Sequence, residues 1–306
     1  MARTDTLPDM WHLGIEETPR WRPVTEVSVD LHDAVTTTDG PYVVGADGLL
    51  LTRDEQWHPV FDDGPAAQNR TLTHAAATAD DSRVWVAGAK GAFGFYDVEN
   101  TEKHDYSKPN GHTGGVDALV VAGTAGDERI LYATGTTVHA GYVDDQCPTW
   151  EDAVDLPGSN AVTAMAAAPD GTAYATTTGG DVFHTTTTDD WTQVGVPSTT
   201  STLTTVHATA DYVWTANTGG LVFRYDPEKD NWTTVDVGDT AVRGFAGTGK
   251  SLIAAADDGF VYARNGPANW KTHPTPVDAS LRAAAVTDPA VAVGRKGTIL
   301  ERQPEE

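Results

Sequence analysis

Residues 212–235 read YVWTANTGGLVFRYDPEKDNWTTV. A β-rich run from Tyr212, a Thr-Gly-Gly turn and a second β-rich run from Leu221 describe two antiparallel strands joined tightly. Gly220 supplies the positive φ that such a turn needs and that a Cβ would oppose. Downstream, Trp232 with Val235 marks a third strand, and upstream TLTTVHAT, ending at Thr209, marks a fourth. The unit occupies about 40 residues, and no strong helical periodicity competes with the strand reading.

The unit recurs in both directions along the chain. Hairpins of the same form are YVVGADGLLLT from Tyr42, VWVAGAKGAFGFY from Val84, AYATTTGGDVFHT from Ala173, LIAAADDGFVYA from Leu252 and AVAVGRKGTILER from Ala290. Their turn glycines, Gly48, Gly91, Gly180, Gly220, Gly259 and Gly297, are spaced by 43, 89, 40, 39 and 38. The long interval holds two periods, and its missing member is ILYATGTTVHAGY from Ile130. There Thr137 occupies the glycine slot, which predicts a turn of different construction.

Before each hairpin runs a strand of small and β-branched residues, such as TLTHAAAT and AVTAMAAAP, suited to a place where several sheets crowd together. After the hairpins come Trp57, Trp150, Trp191, Trp232 and Trp270 at one phase, where a large ring can cover the gap between neighbouring sheets. Four strands per unit and seven units predict an all-β, seven-bladed β-propeller with four-stranded antiparallel blades. The last unit lacks its outer strand, whereas Trp21-Arg22-Pro23-Val24 looks like an outer strand without a blade. The N-terminal strand therefore pairs with the C-terminal hairpin and removes an exposed sheet edge. The organisation expected is an N-terminal extension over 1–20, the propeller over 21–302 and a tail over 303–306.

These repeats resemble those of the WD40, YVTN and BNR-like propellers. The unit quoted first is similar to regulator-type and kelch-like repeats. VVGADGLLLTRDEQWHPV and AVAVGRKGTILERQ look more like the YCF48-like and BNR-like group, with its Val-Gly-x-x-Gly core. The stretch from Thr52 to Trp57 is similar to an Asp-box without its glycine. The resemblance implies fold, because blade repeats leave function to variable loops. YCF48-like relatives are assembly factors with a basic patch, and this acidic chain shows none, so that role is not carried over.

Composition narrows the function classes. The 306 residues carry 20 Lys plus Arg against 44 Asp plus Glu, a formal charge of -24. Such a chain is no default ligand for nucleic acid or for an anionic membrane surface, and no apolar run predicts membrane insertion. Of the acids, 32 are Asp, against seven Lys in the whole chain, and they are spread along all of it. Dispersed acid around a normal apolar fraction is a haloarchaeal-type composition, in which salt screens self-repulsion. One cysteine, Cys147, excludes an internal disulfide and a Cys-cluster zinc site. No His-x-x-x-His pair or calcium loop points to a metal, and no cofactor is expected. No signal peptide is read at the N-terminus, so a cytoplasmic location, or a particle assembled inside the cell, is expected.

Propellers place ligands at the central opening. The residues that follow the first apolar residue of each inner strand are His32, Thr73, Asp117, Thr163, Thr204, Arg243 and Arg282. They are the candidate rim for a ligand or partner, and the neighbouring arginines fit a small anion. The alternative is that the arginines pair with nearby acids. Trp11, before the repeats, is a candidate interface residue, and the 99–115 segment is a candidate contact loop. No Gly-x-Ser-x-Gly elbow or singled-out carboxylate pair marks a catalytic site. The reading is a non-enzymatic halophilic propeller serving as a protein-interaction or assembly platform. Alternatives are a virion-associated, glycan or small-molecule recognition propeller, and a propeller hydrolase or lyase. Circular dichroism against KCl checks the salt reading: the native β signal is expected only in molar salt, and a full signal in salt-free buffer contradicts it.

Overall fold

The computed structural model describes residues 21–144, 146–195, 199–248, 251–265 and 270–303. The expected N-terminal extension, Trp11 within it, and most of the tail lie outside these residues. Among the described residues the strands form seven antiparallel sheets arranged as the blades of a propeller. Blade one comprises, from the centre outward, Leu31–Thr37, Gly40–Gly45, Leu50–Arg53 and Trp57–Phe61. The inner strands of blades two to seven are Leu72–Ala77, Ala118–Ala122, Val162–Ala167, Leu203–Ala208, Val242–Thr248 and Leu281–Ala285.

Blade seven is built from both ends of the chain. Trp21–Glu26 lies antiparallel to Thr298–Arg302, with Trp21 opposite Arg302 and Pro23 opposite Leu300. Pro23 can sit there because the outermost strand does not need its missing N–H for a further ladder. The register shifts between Pro23 and Thr25, a bulge that leaves Val24 exposed. The turn before Thr298 needs glycine: Gly297 has φ 66, and a Cβ on it would lie 1.6 Å from the Val27 carbonyl oxygen.

The core is divided among the seams between blades. Among the described residues each of the seven apolar clusters joins two neighbouring blades, and none lies within a single blade. Trp57, Trp150, Trp191, Trp232 and Trp270 lie at the fixed phase expected, each facing the preceding blade, and Trp21 does the same for blade seven. Trp57 Nε1 donates across the seam to Glu301 Oε1 at 2.9 Å, and Trp232 Nε1 to the Val194 carbonyl at 2.9 Å. In blade two Lys103 stands opposite Tyr96, the position that Trp232 holds opposite Tyr225 in blade five. Its Nζ lies over the Phe61 ring at 5.4 Å and bonds Asp63 Oδ1 at 2.5 Å, replacing the indole by a cation.

That substitution conceals a strand within the 99–115 segment, the candidate contact loop. It contains the outer strand Glu102–Asp105, and beyond it Tyr106 stacks on Trp85 and Phe95. Pro109 is buried, and its carbonyl accepts a bond from Tyr132 Oη at 3.0 Å. The Thr137 turn is differently built, as expected. Thr134 pairs with Thr137, and Gly135, with φ 62, supplies the left-handed residue two positions earlier.

Trp21 is 1% exposed and sits in the cluster between blades six and seven. Trp21→Ala is expected to destabilise the fold by about 3–5 kcal/mol in chemical denaturation at fixed molar salt. Deletion of residues 1–26 should lower the melting temperature further or cause association through the opened edge. An unaltered melting curve for the deletion contradicts the closure.

Candidate functional site

Six of the seven rim residues owe their position to one repeated backbone device. In blades one, two, four, five, six and seven the register of the inner strand shifts across the residue after the first apolar one. The shifts fall between Leu31 and Asp33, Leu72 and His74, Val162 and Ala164, Leu203 and Thr205, Val242 and Gly244, and Leu281 and Ala283. His32, Thr73, Thr163, Thr204, Arg243 and Arg282 are thus bulged residues, re-aimed out of the sheet. All six line a central cavity of about 610 Å³. Asp117 differs: its inner strand starts at Ala118, and its Oδ2 accepts the Gly135 amide at 2.7 Å. The structure therefore assigns Asp117 to the blade-three turn and leaves it off the cavity wall.

Small residues let the inner strands converge. A Cβ on Gly244 would meet the Arg282 carbonyl oxygen at 2.7 Å, so larger residues here would push blade six from blade seven. Polar side chains stitch the inner strands together. Asp33 accepts from the amides of Ala34 at 2.8 Å and, in the next blade, Ala75 at 3.0 Å. Thr204 Oγ1 reaches the Val242 carbonyl at 2.6 Å, and His207 Nε2 donates to the Gly247 carbonyl at 2.9 Å. Thr163 bonds Thr176 and Thr73 points to the Ala87 carbonyl, so the three rim threonines serve the wall itself.

The arginines make a different environment. Arg243 places Nε, at 2.8 Å, and Nη2 on Asp257 Oδ2, while Ser280 Oγ donates to Asp257 Oδ1 at 2.6 Å. Burial works to raise the Asp257 carboxyl, but these hydrogen bonds outweigh it and hold the group below the ordinary range. Arg282 Nη1 hydrogen-bonds His32 Nδ1, and its Nη2 is 3.6 Å from Asp30 Oδ2. Burial, then the Arg295 charge, lowers the Arg282 guanidinium; burial, then Arg282, lowers His32. Arg295 was invisible to an alignment of inner strands. It lies on the Arg295–Gly297 turn, whose Arg295 amide bonds the Ser280 carbonyl at 3.0 Å, two residues before Arg282. The RKG in AVAVGRKG was the signal for it, once that turn is placed at the mouth.

A closed ring of seven blades, six of four strands and a third blade in which Val154–Asp155 adds a short fifth, around a central cavity makes the chain a seven-bladed β-propeller. Residues 102–245 match the model of the DUF6242 beta propeller domain. The fold is similar to virginiamycin B lyase from Staphylococcus aureus, with TM-score 0.73 and 12% identity over 92% of this chain and 97% of that one. It is similar to YCF48 from Cyanidioschyzon merolae, with TM-score 0.70 and 16% identity over 94% and 99%. It also matches the RRP9 WD40 repeats, with TM-score 0.74 and 10% identity over 92% and 96%. No curated protein sequence matches the chain. At these identities the likeness is one of fold.

The cavity wall carries two oppositely shifted groups. Burial pushes His74 down to about 4, against smaller opposing effects of the Val116 backbone and Asp117, and with help from His32. Burial pushes Asp33 up to about 6, against the two amide hydrogen bonds. The depressed His74 contributes stability that is full above its unfolded value and is lost as pH falls toward 4. The raised Asp33 contributes stability that is full below its unfolded value and is lost as pH rises through 6, so the two slopes oppose each other. In His74→Gln only the histidine slope disappears. Its melting temperature should fall less than that of the wild type between neutral pH and about pH 4.5, and identical pH profiles would contradict a neutral, buried His74.

Proposed function

We propose that this propeller is a non-enzymatic interaction platform that engages a protein partner on the face where the inner strands begin. The reading rests on one observation above all. In a chain of net charge -24, Arg243 and Arg282 line one side of the central opening, at blades six and seven, and Arg295 lies close enough to Arg282 to disfavour its charge. A basic quadrant on an acidic ring gives a partner both attraction and a fixed orientation, since like-charged surfaces are turned away elsewhere. The WD40 propellers among the fold neighbours support the same class of role. The lyase neighbour contributes fold only.

Two further features fit this role. The seam clusters and the two-ended blade make a stiff scaffold, which limits the ordering penalty on association. The haloarchaeal-type charge pattern supports a platform that works in concentrated salt, where screening shortens electrostatic attraction and leaves close, hydrogen-bonded arginine contacts as the discriminating ones.

A pull-down in molar KCl with the full chain as bait tests the platform reading. Arg243→Ala combined with Arg282→Ala should reduce capture of a stoichiometric partner about tenfold or more, in keeping with buried charged contacts, while melting confirms that the bait is folded. Equal capture by both baits would overturn the assignment of this face.

A further inference from the structure

The blade-six and blade-seven corner of the mouth has more donors than its own acceptors use. A guanidinium carries five N–H groups in a planar fork. Arg243 spends Nε and Nη2 on a single Asp257 oxygen and keeps Nη1. The 3.6 Å from Arg282 Nη2 to Asp30 is beyond hydrogen-bond length, so the nearest acceptor of this half-buried cation is an imidazole nitrogen. Because arginine can only donate, His32 Nδ1 must accept; the neutral ring then carries its proton on Nε2, one more donor on the cavity wall. Arg295 is exposed and, among the described residues, makes no ion pair.

Electrostatics point the same way. Arg295 and Arg243 both disfavour the charged form of Arg282, so like charges repel at this corner. The acids that act on Arg282 are Asp30 and Asp257. Both are already engaged, Asp30 Oδ1 by the Lys296 backbone amide and Asp257 by Arg243 and Ser280.

We infer that Arg243, Arg282, Arg295 and His32 form a binding site for a terminal phosphoryl group at the mouth of the central cavity. The geometry of the donors selects the class of anion. Three forks and an imidazole N–H come from blades six, seven and one, three separate directions around the opening. A carboxylate offers two oxygens in one plane and satisfies one fork well. A phosphoryl group offers three terminal oxygens in a tetrahedral array, enough for each arginine to hold one, and its second negative charge relieves the mutual repulsion. The cavity behind the mouth leaves room for the remainder of a phosphomonoester. This inference goes beyond the platform role and does not rest on it.

The test is a titration of the full chain with inorganic phosphate and with phenyl phosphate, at ionic strength held constant with KCl, read by calorimetry and by melting temperature. Saturable binding of both is expected, weakened about tenfold in Arg295→Ala, as fits loss of one charge-assisted contact, and partly restored in Arg295→Lys. Lys90→Ala, altering the equivalent turn of blade two, should bind as the wild type does. Absence of saturable binding by the wild type overturns the site. So does binding that survives both Arg295→Ala and Arg282→Ala, or that falls equally in Lys90→Ala. No protein partner enters this experiment, so its failure leaves the pull-down result untouched.

Discussion

The seam where the two ends of the chain meet governs the rest of the structure. A propeller has no central core; each blade is stable only between two neighbours, and a ring with one free seam exposes an apolar face and a sheet edge at once. Here that seam is locked twice. Trp21–Glu26 completes blade seven, and across the joint to blade one Glu301 Oε1 receives Arg53 Nε at 2.6 Å and Trp57 Nε1 at 2.9 Å. Removing the carboxylate would strand an arginine and an indole N–H together, so the three groups act as one contact.

Other seams solve the same packing problem with different chemistry. Between blades two and three the buried Arg83–Glu128 pair, 2.8 Å, is completed by the Trp85 indole and the Gly126 amide. Full satisfaction of both oxygens is what makes such a pair tolerable in a core. Between blades five and six the positions of Glu301 and Arg53 are taken by Arg224 and Arg264, and the cations lie over Tyr212 at 4.7 Å and Trp214 at 4.8 Å. Ring faces replace the carboxylate. The seam geometry is constant, and the residues that fill it are not.

This division explains what could be read in advance. The period, the turn glycines and the Trp phase recur because every seam imposes the same spacing, so blade number and closure were legible in Gly48 to Gly297 and in Trp21. Blade two hid its outer strand because Lys103 does there what an indole does in the other blades. The rim was legible as a column of residues but not as an arrangement. The bulge that turns Arg243 and Arg282 toward the cavity leaves no mark in hydrophobic pattern, and Arg295 reaches the same corner from a turn 13 residues along the chain from Arg282. Asp117 shared the column yet serves the Gly135 turn, whose amide its carboxylate caps.

Amide hydrogen exchange across Thr298–Arg302 tests the closed ring most directly, since it reads the joint without altering it. If the two-ended blade holds the ring shut, the ladder amides of this strand exchange only through global unfolding, with protection equal to that of the inner strands Leu72–Ala77 and Val162–Ala167. Exchange at the rate of exposed loops, while those inner strands remain protected, would show that the seam opens on its own and that the ring does not depend on it.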